Sequence, residues 1–329
     1  DPANPTPAEL RRRAIWANWG GIADLSLTGG YGQAYGSVAS VPGREYSALA
    51  MVAGAKQPHR VLVQVPDNFD ATKRCIVVTA SSGSRGVYGA IAVAAPWALP
   101  KGCAVAYTDK GAGTDYFDLT EQRGTREDGT IGELGVDTLA FTPDAPVGAS
   151  GVAVKHAHSK DNPEADWGRH VKQAAEFALA ALDQAFPQAA PFRFDNTRVI
   201  AVGISNGGGA VLRASEEEGG WLDAVVAGEP NIYAADAPGA RSLYDYTTEA
   251  ALLMPCALLD LPAEALPQPP LRAQVEPLWT ARCATLKAAG LVTGTDAKVQ
   301  AASARAQLKA NGWTDEALVA GALSVGFDL

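Results

Sequence analysis

The sequence predicts an α/β fold whose sheet is mostly parallel. Short apolar runs rich in β-branched residues are typical of buried strands, and they occur at residues 73–79, 102–109 and 199–202. A stretch with helical periodicity at residues 167–186 lies between two of these runs, as in strand-helix-strand units. From residue 234 the chain becomes rich in alanine, leucine and proline. We therefore expect an α/β core at residues 1–233 and a helical cap, or lid, at residues 234–329.

The third apolar run ends in a glycine-rich turn that contains a serine. Gly203 and Gly207 stand two positions either side of Ser205, and a helical pattern begins at Ala210. This is the G-x-S-x-G nucleophile elbow, in which a sharp strand-to-helix turn holds the serine hydroxyl above the sheet edge. The motif predicts a serine ester hydrolase with Ser205 as its nucleophile. The alternative is a glycine-rich turn of a parallel sheet that has no chemical role.

Two short stretches are candidates for binding the negative charge that develops on an attacked ester carbonyl. The N–H of Asn206 lies at the start of the predicted helix, where unpaired N–H groups and the helix dipole stabilise an oxyanion. In an α/β-hydrolase the loop after the third strand supplies a second N–H group, so Ser82 and Gly83 are the candidates here. The alternative for that loop is a plain turn between a strand and a helix.

Composition and charge argue against several other classes of function. The chain has 329 residues, 47% of them hydrophobic, and a formal net charge of −9. That charge argues against nucleic acid or an anionic membrane surface as a partner. The sequence contains no run of 18 apolar residues, so no membrane-spanning helix is predicted. Neither nucleotide-binding motif, G-x-G-x-x-G or the P-loop, occurs in it. We expect a small-molecule substrate and no cofactor.

The four cysteines predict two disulfides. Cys75 and Cys103 each open an apolar run, which places them at matching ends of neighbouring parallel strands. A second bridge between Cys256 and Cys283 would close a loop of similar length. No C-x-x-C pair is present, so a zinc ribbon is not expected. The alternative is four reduced thiols in a cytosolic protein.

The histidines offer few candidates for catalysis or metal binding. Residues 117–166 have no sustained periodicity and predict a long loop excursion, within which His156 and His158 would point to one side of an extended segment. Because a third ligand is missing, we expect no metal there, and either substrate contact or plain surface. His170, in the first turn of a predicted helix, is expected to be structural, and His59 to be a solvated turn residue.

Four longer stretches point to a family. They are TASSGSRGVYG at residues 79–89, GCAVAYTDKGAGTD at 102–115, KHAH at 155–158 and GISNGGG at 203–209. In these stretches the sequence resembles the extracellular D-(−)-3-hydroxybutyrate oligomer hydrolases, and it is distantly similar to tannases and feruloyl esterases. The resemblance implies an α/β-hydrolase that cleaves short 3-hydroxybutyrate oligomers in polyhydroxybutyrate degradation, with Ser205 as nucleophile. It also implies secretion, with a periplasmic location as the alternative.

The positions of the histidines depart from the pattern of this fold. A serine hydrolase of this fold presents Ser, then Asp or Glu, then His along the chain, whereas all four histidines here precede Ser205. We therefore expect this chain to be the N-terminal portion of a longer polypeptide, whose C-terminal portion supplies the acid, the histidine and the closing strands of the sheet. The absence of a methionine before Asp1 likewise suggests a mature or trimmed chain.

Three other interpretations stay open. His170, or one of the pair His156 and His158, would reach Ser205 by an unusual topology, and Glu229 is a conceivable acid at the end of the strand after the elbow. The chain would alternatively be another carboxylic ester hydrolase of the tannase or feruloyl esterase type. In the third interpretation it is a non-catalytic α/β-hydrolase scaffold that binds a ligand.

Overall fold

The computed structural model describes most of the chain, namely residues 4–19, 39–83, 85–113, 115–155, 162–234, 236–266 and 272–326. The chain divides into two compact units, Asp1–Ile232 and Tyr233–Leu329. None of the helices within the described ranges is both long enough and apolar enough to cross a bilayer.

The regular elements are numbered in chain order. The strands are β1 (Gly43–Ala50), β2 (His59–Pro66), β3 (Cys75–Ala80), β4 (Ala104–Thr108), β5 (Tyr116–Asp118), β6 (Arg123–Thr125), β7 (Ile131–Glu133), β8 (Val152–Val154), β9 (Arg198–Ile204) and β10 (Ala224–Gly228). The helices are α1 (Pro7–Trp19), α2 (Ile91–Ala98), α3 (Trp167–Ala185), α4 (Asn206–Ser215), α5 (Leu243–Ala257), α6 (Arg272–Ala288), α7 (Ala297–Ala310) and α8 (Asp315–Gly326).

In the described part of the first unit, the larger sheet has the strand order β1-β2-β4-β3-β9-β10. Strand β2 runs antiparallel to both β1 and β4, whereas the pairs β4-β3, β3-β9 and β9-β10 are parallel. Helices α3 and α4 pack on one face of this sheet and α2 on the other, so the central strands are apolar along their whole length. The predicted mostly parallel sheet is confirmed, and it opens with an antiparallel pair.

The helix predicted at residues 167–186 matches α3 to within one residue. Val171, Ala174, Ala178 and Leu182 are fully buried against the sheet. Their spacing of three and four residues places them on one face of the helix, which is the pattern that the sequence displays. The same 19-residue helix carries His170, which is 3% exposed, into the interior.

Residues 117–166 contain regular structure that the sequence did not predict. Strands β5 to β8 form a separate antiparallel sheet in the order β7-β6-β5-β8, over a small core of Phe117, Leu139 and Phe141. Each of these strands is three residues long. That length is too short to display the alternation of apolar and polar residues from which strands are predicted.

The regular elements described in the second unit are helices. Helices α5 to α8 pack around a core that includes Met254, Trp279 and Leu308. The helix starts are capped by side chains: Ser242 Oγ accepts a hydrogen bond from Asp245 N–H before α5, and an Asp296 carboxylate oxygen accepts from two N–H groups of α7. Because each helix buries one apolar stripe in a shared interior, the unit has a hydrophobic core of its own.

Both predicted disulfides are present. Cys75 is bonded to Cys103 with a Cα–Cα distance of 4.7 Å, and Cys256 is bonded to Cys283 with a Cα–Cα distance of 4.9 Å. The first bridge joins matching ends of the parallel strands β3 and β4, as expected. The second bridge joins α5 to α6. No free cysteine remains, so the alternative of four reduced thiols is wrong.

Candidate active site

Ser205 stands on the turn between β9 and α4 in a conformation that few serines adopt. Its φ is 58° and its ψ is −125°. For a residue other than glycine, such a conformation costs roughly 1–3 kcal/mol of free energy, so it persists only where the surrounding structure enforces it. Here the Ser205 N–H donates to the carbonyl of Gly228, and the Ser205 carbonyl accepts from the N–H of Gly209, each at 3.0 Å. The half-buried hydroxyl makes no capping bond to α4, so it is free for other chemistry.

The two glycines of the motif are required by close backbone approaches. A Cβ atom at position 203 would lie 2.2 Å from the carbonyl oxygen of Gly207. A Cβ atom at position 207 would lie 2.4 Å from the carbonyl oxygen of Ala80, at the end of β3. Real Cβ atoms do not come this close to backbone atoms. The G-x-S-x-G spacing therefore follows from the tight passage of α4 over β9 and β3.

The predicted oxyanion residues are brought together at this turn. Ser82 Oγ donates to the carbonyl of Ile204 at 2.7 Å, and the Gly83 N–H donates to Asn206 Oδ1 at 3.1 Å. The Gly83 N–H is thus already engaged, whereas the backbone N–H of Ser82 donates to no described residue. Asn206 is the first residue of α4, so its own N–H has no partner within the helix. The two N–H groups that remain available are those of Ser82 and Asn206.

A buried lysine beside this loop was missed by the sequence analysis. Lys110 follows β4 and is 1% exposed, and its Nζ donates to the carbonyl of Gly83 at 2.5 Å. Its Nζ also lies 5.1 Å from the ring centroid of Trp167. Burial lowers the pKa of Lys110 to about 8, although the negative charges of Asp109 and Glu164 act to raise it. The available signal was its position two residues after a strand that is buried along its whole length.

The prediction for His59 is wrong, because this histidine is the first residue of β2 and is 1% exposed. Its burial is tolerated since both ring nitrogens have hydrogen-bond partners: Nδ1 lies 2.9 Å from Thr108 Oγ1 and Nε2 lies 2.7 Å from Gln173 Oε1. The ring of His170 packs against it, with 4.4 Å between centroids, and burial lowers the pKa of His170 to about 2. Among the described residues, no hydrogen bond joins either histidine to Ser205.

The remaining candidates contribute little to the described site. His156 and His158 lie outside the described residues. Glu229 directly follows the residue whose carbonyl holds the Ser205 N–H, but its side chain is exposed, and its φ is 37°. Over the ranges that the structure describes, no three histidine, cysteine, aspartate or glutamate side chains are placed to hold a metal ion.

The fold and the site together define a class of protein. Within the larger sheet the strands occur in the order 1-2-4-3-5-6, the second strand is antiparallel, and the turn that carries Ser205 follows the fifth. This is the α/β-hydrolase fold, in which the turn after the fifth strand is the position of the nucleophile elbow. The sequence further matches the family described as 3HB-oligomer hydrolase (3HBOH) over residues 1–326, so the chain belongs to that family.

The curated relatives agree with this assignment. The chain is 41% identical to a D-(−)-3-hydroxybutyrate oligomer hydrolase of Burkholderia cenocepacia (strain HI2424), over 95% of this chain and 51% of the relative. It is equally similar, with the same coverage, to the protein of that name in Burkholderia vietnamiensis (strain G4 / LMG 22486). The chain thus spans about half the length of the curated relatives that it matches.

Comparison with solved structures gives weaker similarities. An esterase from Aspergillus oryzae aligns with a TM-score of 0.33 and 11% identity, over 67% of this chain and 32% of that chain. A proline iminopeptidase from Mycobacterium smegmatis aligns with a TM-score of 0.32 and 16% identity, over 85% of this chain and 67% of that chain. The family assignment therefore depends on sequence, and the fold assignment depends on the topology described above.

Proposed function

We propose that this chain carries the nucleophile and the oxyanion-binding groups of a serine ester hydrolase that cleaves short 3-hydroxybutyrate oligomers. The observation that carries the proposal is the strained turn at Ser205, which is held by backbone bonds to Gly228 and Gly209 and leaves the hydroxyl unengaged by the helix. Family membership supplies the substrate class. A carboxylic ester of the tannase or feruloyl esterase type is the alternative substrate.

The reaction follows from the chemistry of an activated serine. An imidazole takes the Ser205 proton while Oγ attacks the ester carbonyl, and the N–H groups of Ser82 and Asn206 hold the resulting oxyanion. When the tetrahedral intermediate collapses, the ester C–O bond breaks, and the imidazolium protonates the departing alkoxide oxygen, which becomes the hydroxyl of the shortened oligomer. Water then attacks the acyl-serine while the imidazole takes its proton. The second tetrahedral intermediate collapses, the imidazolium returns the proton to Ser205 Oγ, and the acid and the free serine are released.

We infer that the imidazole and its acid partner come from polypeptide that corresponds to the other half of the relatives. Two observations support this inference. His59 has both ring nitrogens engaged elsewhere, and His170 is packed against it. Strand β10 has β9 as its one neighbour among the described residues, and Val226 on it is 56% exposed, although strands of parallel sheets are usually covered. Further strands beside β10 would cover that residue.

Two finer assignments belong to the same proposal. His156 and His158, which lie outside the described residues, would contact substrate, since the excursion at residues 117–166 follows β4 and open α/β sheets bind ligands at the carboxyl ends of their parallel strands. The protein would act outside the cytoplasm, because disulfides persist in oxidising compartments, with the periplasm as the alternative to full secretion.

The test uses the full-length polypeptide in the form in which the organism makes it. A fluorophosphonate probe should label it, and Ser205→Ala should abolish both labelling and the release of 3-hydroxybutyrate from the trimer. Ser215→Ala is the matched control, because Ser215 ends α4 and its hydroxyl bonds only to the carbonyl of Leu212 in the described structure. Labelling or turnover that survives in Ser205→Ala would overturn the proposal.

A second candidate function is favoured because neither histidine of the described residues, His59 or His170, bonds to Ser205. A chain in which no described histidine engages Ser205 would serve as a scaffold that binds oligomers without cleaving them. Comparing this 329-residue chain with the full-length polypeptide separates the two functions. Hydrolysis that is recovered only in the longer polypeptide supports the esterase, whereas oligomer binding without turnover in both supports the scaffold.

A further inference from the structure

The loop at residues 81–83, which follows β3, is held from three sides. Ser82 Oγ donates to the carbonyl of Ile204 in the nucleophile strand, at 2.7 Å. The Gly83 N–H donates to Asn206 Oδ1 at 3.1 Å, and the Gly83 carbonyl accepts from Lys110 Nζ at 2.5 Å. The first two contacts join the loop to the turn that carries Ser205. The third joins it to the residue that follows β4, so both ends of the Gly83 backbone are fixed by side chains.

The third contact, between Lys110 Nζ and the Gly83 carbonyl, requires the burial of a charged group. Lys110 is 1% exposed, and a buried ammonium gives up its hydration on folding. The aromatic face of Trp167, 5.1 Å from Nζ, offsets part of the lost hydration free energy. The hydrogen bond to Gly83 offsets more of it, because a charged donor forms a stronger hydrogen bond. The backbone at Lys110 has a φ of 49°, a left-handed conformation that lysine rarely adopts. The buried ammonium and the strained backbone thus occur at the same residue, whose side chain contacts Gly83.

We propose that Lys110 is a positioning residue for the ester hydrolysis: through the Gly83 carbonyl, its ammonium holds the 81–83 loop so that the Ser82 N–H meets the oxyanion formed at Ser205. This inference depends on the proposed function of Ser205. Because the oxyanion exists only in the transition state and the tetrahedral intermediate, a displaced loop lowers kcat and leaves KM nearly unchanged. A displacement of about 1 Å at such a site costs on the order of a hundredfold in rate.

The charge of Lys110 gives the contact a dependence on pH. The groups that face the ammonium are Asp109 beside it, Glu164 before α3 and the uncharged His170 on α3. Since burial places the pKa of Lys110 at about 8, the ammonium loses its proton as the pH rises through that value. A neutral amine donates a weaker hydrogen bond to Gly83. The kcat should therefore decrease above about pH 8 as Lys110 is deprotonated, independently of the serine, the acid and the histidine of the reaction.

The experiment measures kcat and KM for trimer hydrolysis by the full-length polypeptide between pH 6 and pH 9.5. Lys110→Met, which keeps the length and removes the donor, should lower kcat by about tenfold to a hundredfold with KM within about twofold. Lys110→Gln, which restores a neutral donor, should recover part of kcat and lack the decline near pH 8. Lys155→Met is the matched control, because Lys155 is also buried but donates to the carbonyl of Pro58, away from the loop.

Three results would overturn the role of Lys110. One is a Lys110→Met enzyme with kcat close to that of wild type, and another is a loss of kcat equal to that of Lys155→Met, which would indicate a general effect of emptying a buried site. The third is an alkaline decline in kcat that Lys110→Gln keeps unchanged, and this result decides even if Lys110→Met fails to fold. An active Ser205→Ala enzyme would instead overturn the proposed function itself.

Discussion

The N–H of Gly83 donates a hydrogen bond to Asn206 Oδ1 at 3.1 Å, which ties the loop after β3 to the first residue of α4. The two residues are 123 positions apart in the chain and meet because β3 and β9 are neighbours in the sheet. The contact has a chemical consequence. The side chain of Asn206 occupies one N–H of the loop, while its backbone N–H remains available to an oxyanion.

Substitution of Asn206 should separate the structural and electrostatic parts of this contact. Asn206→Ala leaves the Gly83 N–H without its partner, so we expect a loss of about 1 kcal/mol in the free energy of unfolding and a fall in kcat of about tenfold. Asn206→Asp keeps an acceptor, so its stability should stay near that of wild type, but its negative charge opposes the oxyanion and should lower kcat further. Urea unfolding and trimer hydrolysis by the full-length polypeptide measure both effects. Equal kcat in the two variants would contradict the electrostatic explanation.

The close approach at position 207 predicts a large loss of stability on adding one methyl group. In Gly207→Ala the new Cβ would meet the carbonyl oxygen of Ala80 at 2.4 Å, so β3 and α4 would have to separate. We expect insoluble protein or a loss of at least about 3 kcal/mol, as for other overpacked interiors. Gly228→Ala is the control, because the nearest atom to its new Cβ is the Ile204 side-chain Cγ1 at 3.3 Å. A Gly207→Ala protein as stable as Gly228→Ala would show that the turn is looser than described.

The two disulfides should stabilise different units to a similar extent. Their sequence separations are 28 and 27 residues, so loop closure predicts about 3–4 kcal/mol for each. Replacing Cys75 and Cys103 by serine should increase proteolytic cleavage within Asp1–Ile232, and replacing Cys256 and Cys283 should increase it within Tyr233–Leu329. Limited proteolysis followed by mass spectrometry locates the cleavages. Cleavage that rises in both units for either variant would mean that the units unfold together.

His170 should make the protein less stable in mild acid. Its pKa is about 2 in the folded protein, because of burial, against an ordinary value of 6.5 that we expect for the unfolded chain. Protons therefore bind the unfolded chain preferentially once the pH falls below about 6.5, and the free energy of unfolding decreases from there downward. Above that pH the two states bind equally and the contribution is constant.

The measurement compares urea unfolding at pH 7.5 and pH 5.0 for wild type and His170→Phe. Phenylalanine does not titrate, and the Nδ1 that it removes has no hydrogen-bond partner in the described structure. Wild type should lose about 1–2 kcal/mol more than the variant over this interval. An identical loss in the two proteins would mean that His170 is protonated without cost in the fold, contrary to its burial against His59.

Local pattern was sufficient for the parts of this protein whose physical cause is local. The buried strands and the helix α3 follow from apolar periodicity. The Cys75–Cys103 pair follows because both cysteines open apolar runs, and Cys256 and Cys283 are the two cysteines left to pair. The turn at Ser205 follows from Gly203 and Gly207, since only glycine admits the backbone contacts there. The short strands at residues 116–154 were not predictable, because three residues are too few to show a period.

By itself, then, the sequence determined the fold class, the nucleophile candidate, the disulfide pairs and the family. Only the tertiary structure decided that the loop after β3 bonds to Ile204 and Asn206 on either side of Ser205, that the ring of His59 is buried with both nitrogens engaged, and that Lys110 is buried against Gly83. The physical reason is that these side chains are satisfied by partners at least 27 positions away in the chain. From sequence alone a polar residue is predicted to be exposed to solvent, because the distant group to which it bonds is brought near only by the fold.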